Sequence, residues 1–288
     1  MNVFRRNNQI VQINLWRTIL NAILLYGIFF LGWHFIKNLG TYKRGFFCGD
    51  QSIRFQPHPN TLTRVQHRMI CITFMNVSFF VIESFRWFLG LKKFTTLIYR
   101  IGTRLVPNFL VTVFTLIGYS QIGYVVNELL VRFVKAAIGR LRPYFLVACN
   151  PLPILECDFF NVNVYVTDYQ CQGDPKHVEE ARKSFYSGQS AVTMYCAFWI
   201  VLYIEARLKS VIRNTKLVSI IQILLMVYGF ITCTTSIEDN KHFWSDVIVG
   251  AIVGMVLAYY FAVWYGKIFK RTEVGEDLQD DFKPITNF

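Results

Sequence analysis

Apolar residues in this chain gather into six blocks, at 18–36, 69–82 with a ragged end near Phe88, 106–129, 191–204, 217–233 and 247–264. Blocks of about 18–22 such residues span the ~30 Å of a bilayer's hydrocarbon core as a helix, which satisfies its own backbone N–H and C=O groups where no water can. The second and fourth blocks are short or interrupted, so their ends are the least defined. The pattern predicts an all-α integral membrane protein of six transmembrane helices. It divides into a cytosolic N-terminus at 1–17, a membrane domain at 18–266 and a tail at 267–288. The tail holds Glu273, Glu276, Asp277, Asp280 and Asp281 and reads as a disordered acidic cytosolic end. Charged residues make up only 17% of the chain, against roughly 25% in soluble domains. The first block is longer than a secretory h-region, and no small-residue cleavage site follows it, so it reads as a true span.

The formal charge of +12 does not point to nucleic acid, because the basic residues sit in short connections and no soluble domain presents them. Anionic lipid headgroups fit better. Arg5, Arg6 and Arg17 precede the first span. Arg86, Lys92, Lys93, Arg100 and Arg104 join the second to the third, Arg207, Lys209, Arg213 and Lys216 join the fourth to the fifth, and Lys267, Lys270 and Arg271 follow the sixth. With six spans these share one side, which the positive-inside tendency makes cytosolic, both termini included. The other side is nearly as basic, with Lys43, Arg44, Arg54, Lys135, Arg140, Arg142, Arg182, Lys183 and Lys241. Glu156, Asp158, Asp168, Asp174, Glu179 and Glu180 can neutralise part of that charge, and the remainder is open to an anionic ligand.

Cys48, Cys149, Cys157 and Cys171 fall on the outer side, where disulfides form. Four cysteines allow three pairings, and spacing does not choose among them. No CxxC pair or His/Cys cluster has zinc-like spacing, so no metal site is predicted. The sequon Asn76-Val-Ser78 lies inside the second span and reads as a chance match.

Three outer segments hold polar residues that hydrophobicity does not explain. The first is Lys135-x6-Arg142-Pro143, after the third span. On a continuous helix Lys135 and Arg142 share a face two turns apart, with Pro143 ending the helix; the bland alternative is a snorkelling cluster at headgroup level. The second is Ser184-Phe-Tyr-Ser187-Gly188-Gln189-Ser190, opening the fourth span. Free amides at a helix start attract phosphate, although Ser-Gly is also an ordinary cap. In the third, Thr235 to Asp246, His242 and Asp246 stand four apart. A helix there lets the carboxylate hold one imidazole nitrogen and present the other as a nucleophile, or simply makes a capping contact.

Taken in order, Lys-x6-Arg-Pro, Ser-Gly-x and His-x3-Asp resemble the three-part signature of the type 2 phosphatidic acid phosphatase superfamily. Tyr42-Lys-Arg-Gly-Phe-Phe-Cys48, Ile138-Gly-Arg-Leu-Arg-Pro143, Asp168-Tyr-Gln-Cys-Gln-Gly173 and Glu180-Ala-Arg-Lys-Ser-Phe-Tyr-Ser-Gly188 are similar to its animal lipid phosphate phosphatases. The resemblance runs from about Thr18 to Gly266. It implies His242 as the nucleophile that forms a phosphohistidine, Asp246 as its orienting carboxylate, and Lys135, Arg142, Ser187 and Gly188 as the cradle of the substrate phosphate. It also implies no cofactor, lipid phosphates as ligands (phosphatidate, lysophosphatidate, sphingosine phosphate), a site on the extracytoplasmic face and residence in the plasma membrane.

Two positions depart from that signature. Gln189 stands where the family has a histidine that protonates the departing alkoxide, and glutamine has no titratable proton to give. Ser236 stands where the family has an arginine that grips the phosphate. The sequence therefore supports two functions: a slowed phosphoric monoester hydrolase, or a catalytically impaired pseudophosphatase that binds lipid or a partner. Lys241 adjoins the nucleophile, Arg140 on a helix points away from the Lys135–Arg142 face, and His177 is a remote substitute acid. Gly250 and Gly254 form a Gly-x3-Gly face that admits either a homo- or hetero-oligomeric partner or a neighbour within the bundle.

Overall fold

Six helices long and apolar enough to cross a membrane dominate the computed structural model, which describes residues 9–58, 63–89, 97–152, 163–209, 212 and 215–269. They are α1 (Leu15–Leu39), α2 (Arg64–Phe88), α3 (Asn108–Ile138), α6 (Gly188–Arg207), α7 (Thr215–Glu238) and α8 (Trp244–Tyr259), the last prolonged by a π-helical stretch at Tyr260–Tyr265. Between them lie short strands β1 (Gln9–Gln12), β2 (Phe46–Phe47), β3 (Leu97–Ile101), β4 (Arg104–Val106) and β5 (Tyr165–Val166) and small helices α4 (Phe145–Cys149) and α5 (Pro175–Ala181). The membrane helices outrun the apolar blocks at nearly every end, because backbone hydrogen bonding continues into polar turns. α2, for example, begins at Arg64, capped by the Thr63 hydroxyl and Gln66. The acidic tail residues from Glu273 onward, and Cys157, lie outside the described residues.

The two sheets mark the two ends of the bundle. β1 pairs in parallel with β3, which pairs with β4, tying the segment before α1 to the α2–α3 connection. β2 pairs with β5 at the opposite end, joining the α1–α2 and α3–α6 connections.

α6 is the axis of the fold, packing against α8, α7, α2 and α3. Tyr195, Trp199 and Tyr203 of α6 are buried, with Phe79 of α2 edge-on to Trp199 and Tyr203. The Gly250–Gly254 face is used inside the bundle. A methyl group added at Gly250 would lie 2.4 Å from the Ser187 carbonyl oxygen, and one at Gly254 2.2 Å from that of Ala191. α1 packs on α3 and has no buried residue.

A cap covers the β2–β5 end. Phe46, Leu141, Tyr144, Phe145, Val178 and Ala181 form its core, and Cys149 is bonded to Cys171, which selects one of the bridges that spacing left open. Cys48 is also disulfide-bonded. Asn76 sits inside α2, in keeping with the reading of its sequon.

Candidate functional site

α3 does not run on to Pro143. It stops at Ile138 because Gly139 takes a left-handed turn at φ 58°, where a side chain would meet the Tyr42 carbonyl oxygen at 2.1 Å. Lys135 and Arg142 therefore do not share a helix face, which corrects the sequence expectation. A backbone exchange brings them together instead. Arg142 N–H donates to Ala181 O at 2.8 Å and Ser184 N–H to Arg140 O at 2.9 Å. This lays residues 140–142 beside 181–184, and Lys135 Nζ (2.9 Å) and Arg142 Nη2 (3.3 Å) both donate to the Lys183 carbonyl.

Arg142 is buried and also donates to Tyr144 Oη at 3.3 Å. Burial lowers its pKa, opposed by Tyr144 and by Glu180, whose Oε2 lies 3.7 Å away. Burial alone would raise the pKa of Glu180, but Arg64 and Arg142 outweigh it and the carboxylate stays ionised below the usual range.

Ser187 is the N-cap of α6. Its Oγ accepts from Ser190 N–H at 3.3 Å and from Ser190 Oγ at 2.9 Å, while the Gly188 and Gln189 amides keep no partner among the described residues. Ser187 N–H donates to Asp246 O at 3.0 Å, fastening this helix start to the first turn of α8.

His242 and Asp246 are not one turn apart on a helix, since α8 begins at Trp244. His242 Nδ1 faces Asp246 Oδ2 at 3.8 Å, and both residues are buried. The carboxylate is held instead by Arg140 Nη1 at 2.6 Å, Ser184 Oγ at 2.5 Å and the Phe243 amide at 3.2 Å. Arg140 lies past the end of α3 rather than on a helix, and it belongs to the site through Asp246, with its guanidinium 4.4 Å from the Phe243 ring centroid. Burial first, and the Lys135 charge second, lower the His242 pKa; Asp246 opposes them.

The two departures meet on the same wall. Gln189 Nε2 lies 3.5 Å from Thr235 Oγ1. Next to Thr235, Ser236 accepts the His242 amide at 3.2 Å through its carbonyl, while its buried hydroxyl has no partner among the described residues. The other cations considered as substitutes are occupied: Lys241 pairs with Asp239. His177 is exposed, with its ring 6.0 Å from that of Tyr144. Much of the basic surplus on this side is likewise neutralised, Lys183 by Glu179 and Arg64 by Glu180.

Sequence reasoning included Ser184 in the second segment without giving it a role, and it missed the α2 arginines Arg64 and Arg68. It also missed Glu128 of α3, which Arg68 contacts at 2.7 Å. A signal was present for Glu128, which lies inside the third apolar block: charged residues within membrane spans face protein interiors and partners rather than lipid.

The profile of the PAP2 superfamily matches residues 113–270. A Caenorhabditis elegans protein named phospholipid phosphatase homolog 1.2 homolog is 39% identical over 241 residues, covering 84% of this chain and 70% of that one. Phospholipid phosphatase 2 of Rattus norvegicus is 34% identical over 80% of this chain and 78% of its own length, and phospholipid phosphatase 1 of the same species 29% identical over 83% and 81%. No solved structure matches.

Proposed function

The chain belongs to the PAP2 superfamily, and from that premise we propose that it is a lipid phosphate phosphatase-like protein that binds lipid phosphates at the extracytoplasmic face and dephosphorylates them slowly. Phosphatidate, lysophosphatidate and sphingosine phosphate are its ligands. It resides in the plasma membrane with both termini in the cytosol. The reading is carried by one observation: Lys135, Arg142 and the free amides of α6 meet where Asp246, linked to Ser184 and Ser187, brings in His242.

In this reading the Lys135 and Arg142 charges, the Ser187 hydroxyl and the Gly188 amide neutralise the phosphate. His242 attacks phosphorus, the bond to the lipid oxygen breaks, and water then cleaves the phosphohistidine to inorganic phosphate. Asp246 faces Nδ1, so a hydrogen bond there leaves Nε2 to attack; such contacts commonly tighten only around substrate. The lipid alkoxide departs without a proton from residue 189, and losing a general acid costs ~10²–10⁴ in rate.

The pseudophosphatase reading is favoured by that same glutamine and by the 3.8 Å gap between His242 and Asp246. Phosphatidate hydrolysis by the purified protein, beside His242→Ala, separates the two. Slow turnover that His242→Ala abolishes, and that Gln189→His with Ser236→Arg raises by at least about two decades, supports the enzyme. Wild-type turnover equal to that of an active relative would refute the slowing. Bound phosphatidate with no turnover before or after the double reversal supports the binder.

A further inference from the structure

Arg64 and Arg68 lie one turn apart at the start of α2. Arg64 Nη1 pairs with Glu180 Oε2 at 2.7 Å, the oxygen that also faces Arg142. Arg68 Nε pairs with Glu128 Oε1 at 2.7 Å, and Arg132 Nη2 reaches the other oxygen of that carboxylate at 3.4 Å. Around these contacts, five cations (Arg64, Arg68, Arg132, Lys135 and Arg142) face two carboxylates (Glu128 and Glu180), which leaves three positive charges unmatched.

The position of Arg68 gives this surplus a direction. A methyl group built on Gly188 would lie 3.9 Å from Lys135 Cε and 4.0 Å from Arg68 Nη2, so the start of α6 faces both side chains. Arg68 meets Glu128 at Nε, while its Nη2 lies on the Gly188 side, where a guanidinium has further N–H donors for a second acceptor. A phosphate monoester carries about −1.5 to −2 charges near neutral pH, the sign and size that the surplus calls for.

Resting on the reading of this site as a lipid phosphate site, we propose that Arg68 is one of its phosphate-binding residues, gripping the monoester from the α2 side and supplying a cation that Ser236 does not. The grip thereby moves from the α7 wall to the α2 wall, across the start of α6.

The test measures retention of radiolabelled phosphatidate by the full-length protein in detergent micelles, with phosphatidylcholine micelles as the control. Arg68→Ala alone would leave the buried Glu128 carboxylate with Arg132 as its remaining ion-pair partner among the described residues and threaten folding, so it is combined with Glu128→Gln. The double variant is expected to bind about tenfold to a hundredfold more weakly. Glu128→Gln alone, which releases Arg68, is expected to bind at least as tightly as wild type, and Arg68→Lys to lose part of the affinity. Competition with inorganic phosphate distinguishes the lipid ester from the free ion, and whichever binds, its affinity falls in the double variant.

Equal weakening by Glu128→Gln alone and by the double variant would assign the pair a structural role and overturn the inference. Wild-type binding by the double variant, with Arg142→Ala still losing phosphatidate, would overturn the role of Arg68 and leave the site reading intact. Wild-type binding by Arg142→Ala and Lys135→Ala would overturn both.

Discussion

The carboxylate of Asp246 accepts from Arg140, Ser184 and the Phe243 amide, so its charge is anchored by groups other than the imidazole it faces. His242 is left with a depressed pKa, from burial first and the Lys135 charge second. The neutral, attack-competent ring is therefore retained as pH falls below the ordinary imidazole value of 6.5 and is lost only on passing through the lowered pKa. For phosphatidate, the acid limb of kcat/KM, which reports the free protein, is expected below 6.5; a limb at or above that value contradicts this assignment. The glutamine at 189 has a separate signature. An aryl phosphate, whose phenolate needs no proton on departure, should lose little of the ~10²–10⁴ that an alkyl phosphate loses. A ratio of aryl to alkyl rates that is unchanged in Gln189→His would show residue 189 to be irrelevant to leaving-group protonation. His242, Asp246, Lys135 and Arg142 stood out in the sequence through the order of their three motifs, although the helical geometry read from the spacing within two of those motifs did not hold. Ser184, Arg64 and Arg68 join the same cluster only through contacts with residues dozens of positions away, which spacing does not record.

At the level of elements, the spans followed from hydropathy, while their ends and the turn after α3 did not. α2 starts at Arg64, well before the first apolar residue of its block, because Glu180 and Glu128 receive the charges of its first turns. Pro143 drew attention as a helix breaker, yet Gly139 had already turned the chain. Its left-handed φ, and the Tyr42 carbonyl in the way of any Cβ, make the position intolerant of alanine. Gly139→Ala is expected to cost more than about 1 kcal/mol. It should appear as a lower unfolding midpoint in detergent, with weakened phosphatidate retention because the 140–142 segment positions Arg142. An unchanged midpoint would mean that the turn relaxes freely.

In the molecule as a whole, the polar machinery is confined to one end of the bundle, under the cap closed by the Cys149–Cys171 bridge. The bridge links residues 22 apart, and the loop it closes corresponds to about 3 kcal/mol of restricted unfolded chain. Within the cap, the Arg182 guanidinium stacks on Phe145 and Tyr169, and Arg142 is fastened to Ala181. Cys149→Ser with Cys171→Ser should therefore lower the thermal midpoint and weaken phosphatidate retention together; loss of stability with affinity intact would uncouple cap from site. The other end carries its own buried charge network, in which Glu83 of α2 receives Arg86 and the Tyr203 hydroxyl with Arg207 nearby, a grouping of α2 with α6 residues more than a hundred positions apart that no spacing records. The small-residue stripe of α8 has a consequence for assembly. With Gly250 and Gly254 already pressed into the backbone of α6, the side that α8 turns outward is a ridge of Ile248, Ile252, Val256 and Tyr259. Bulky side chains of that kind keep a neighbouring helix at arm's length, so any second copy meeting α8 meets a bumpy greasy rail rather than a notch.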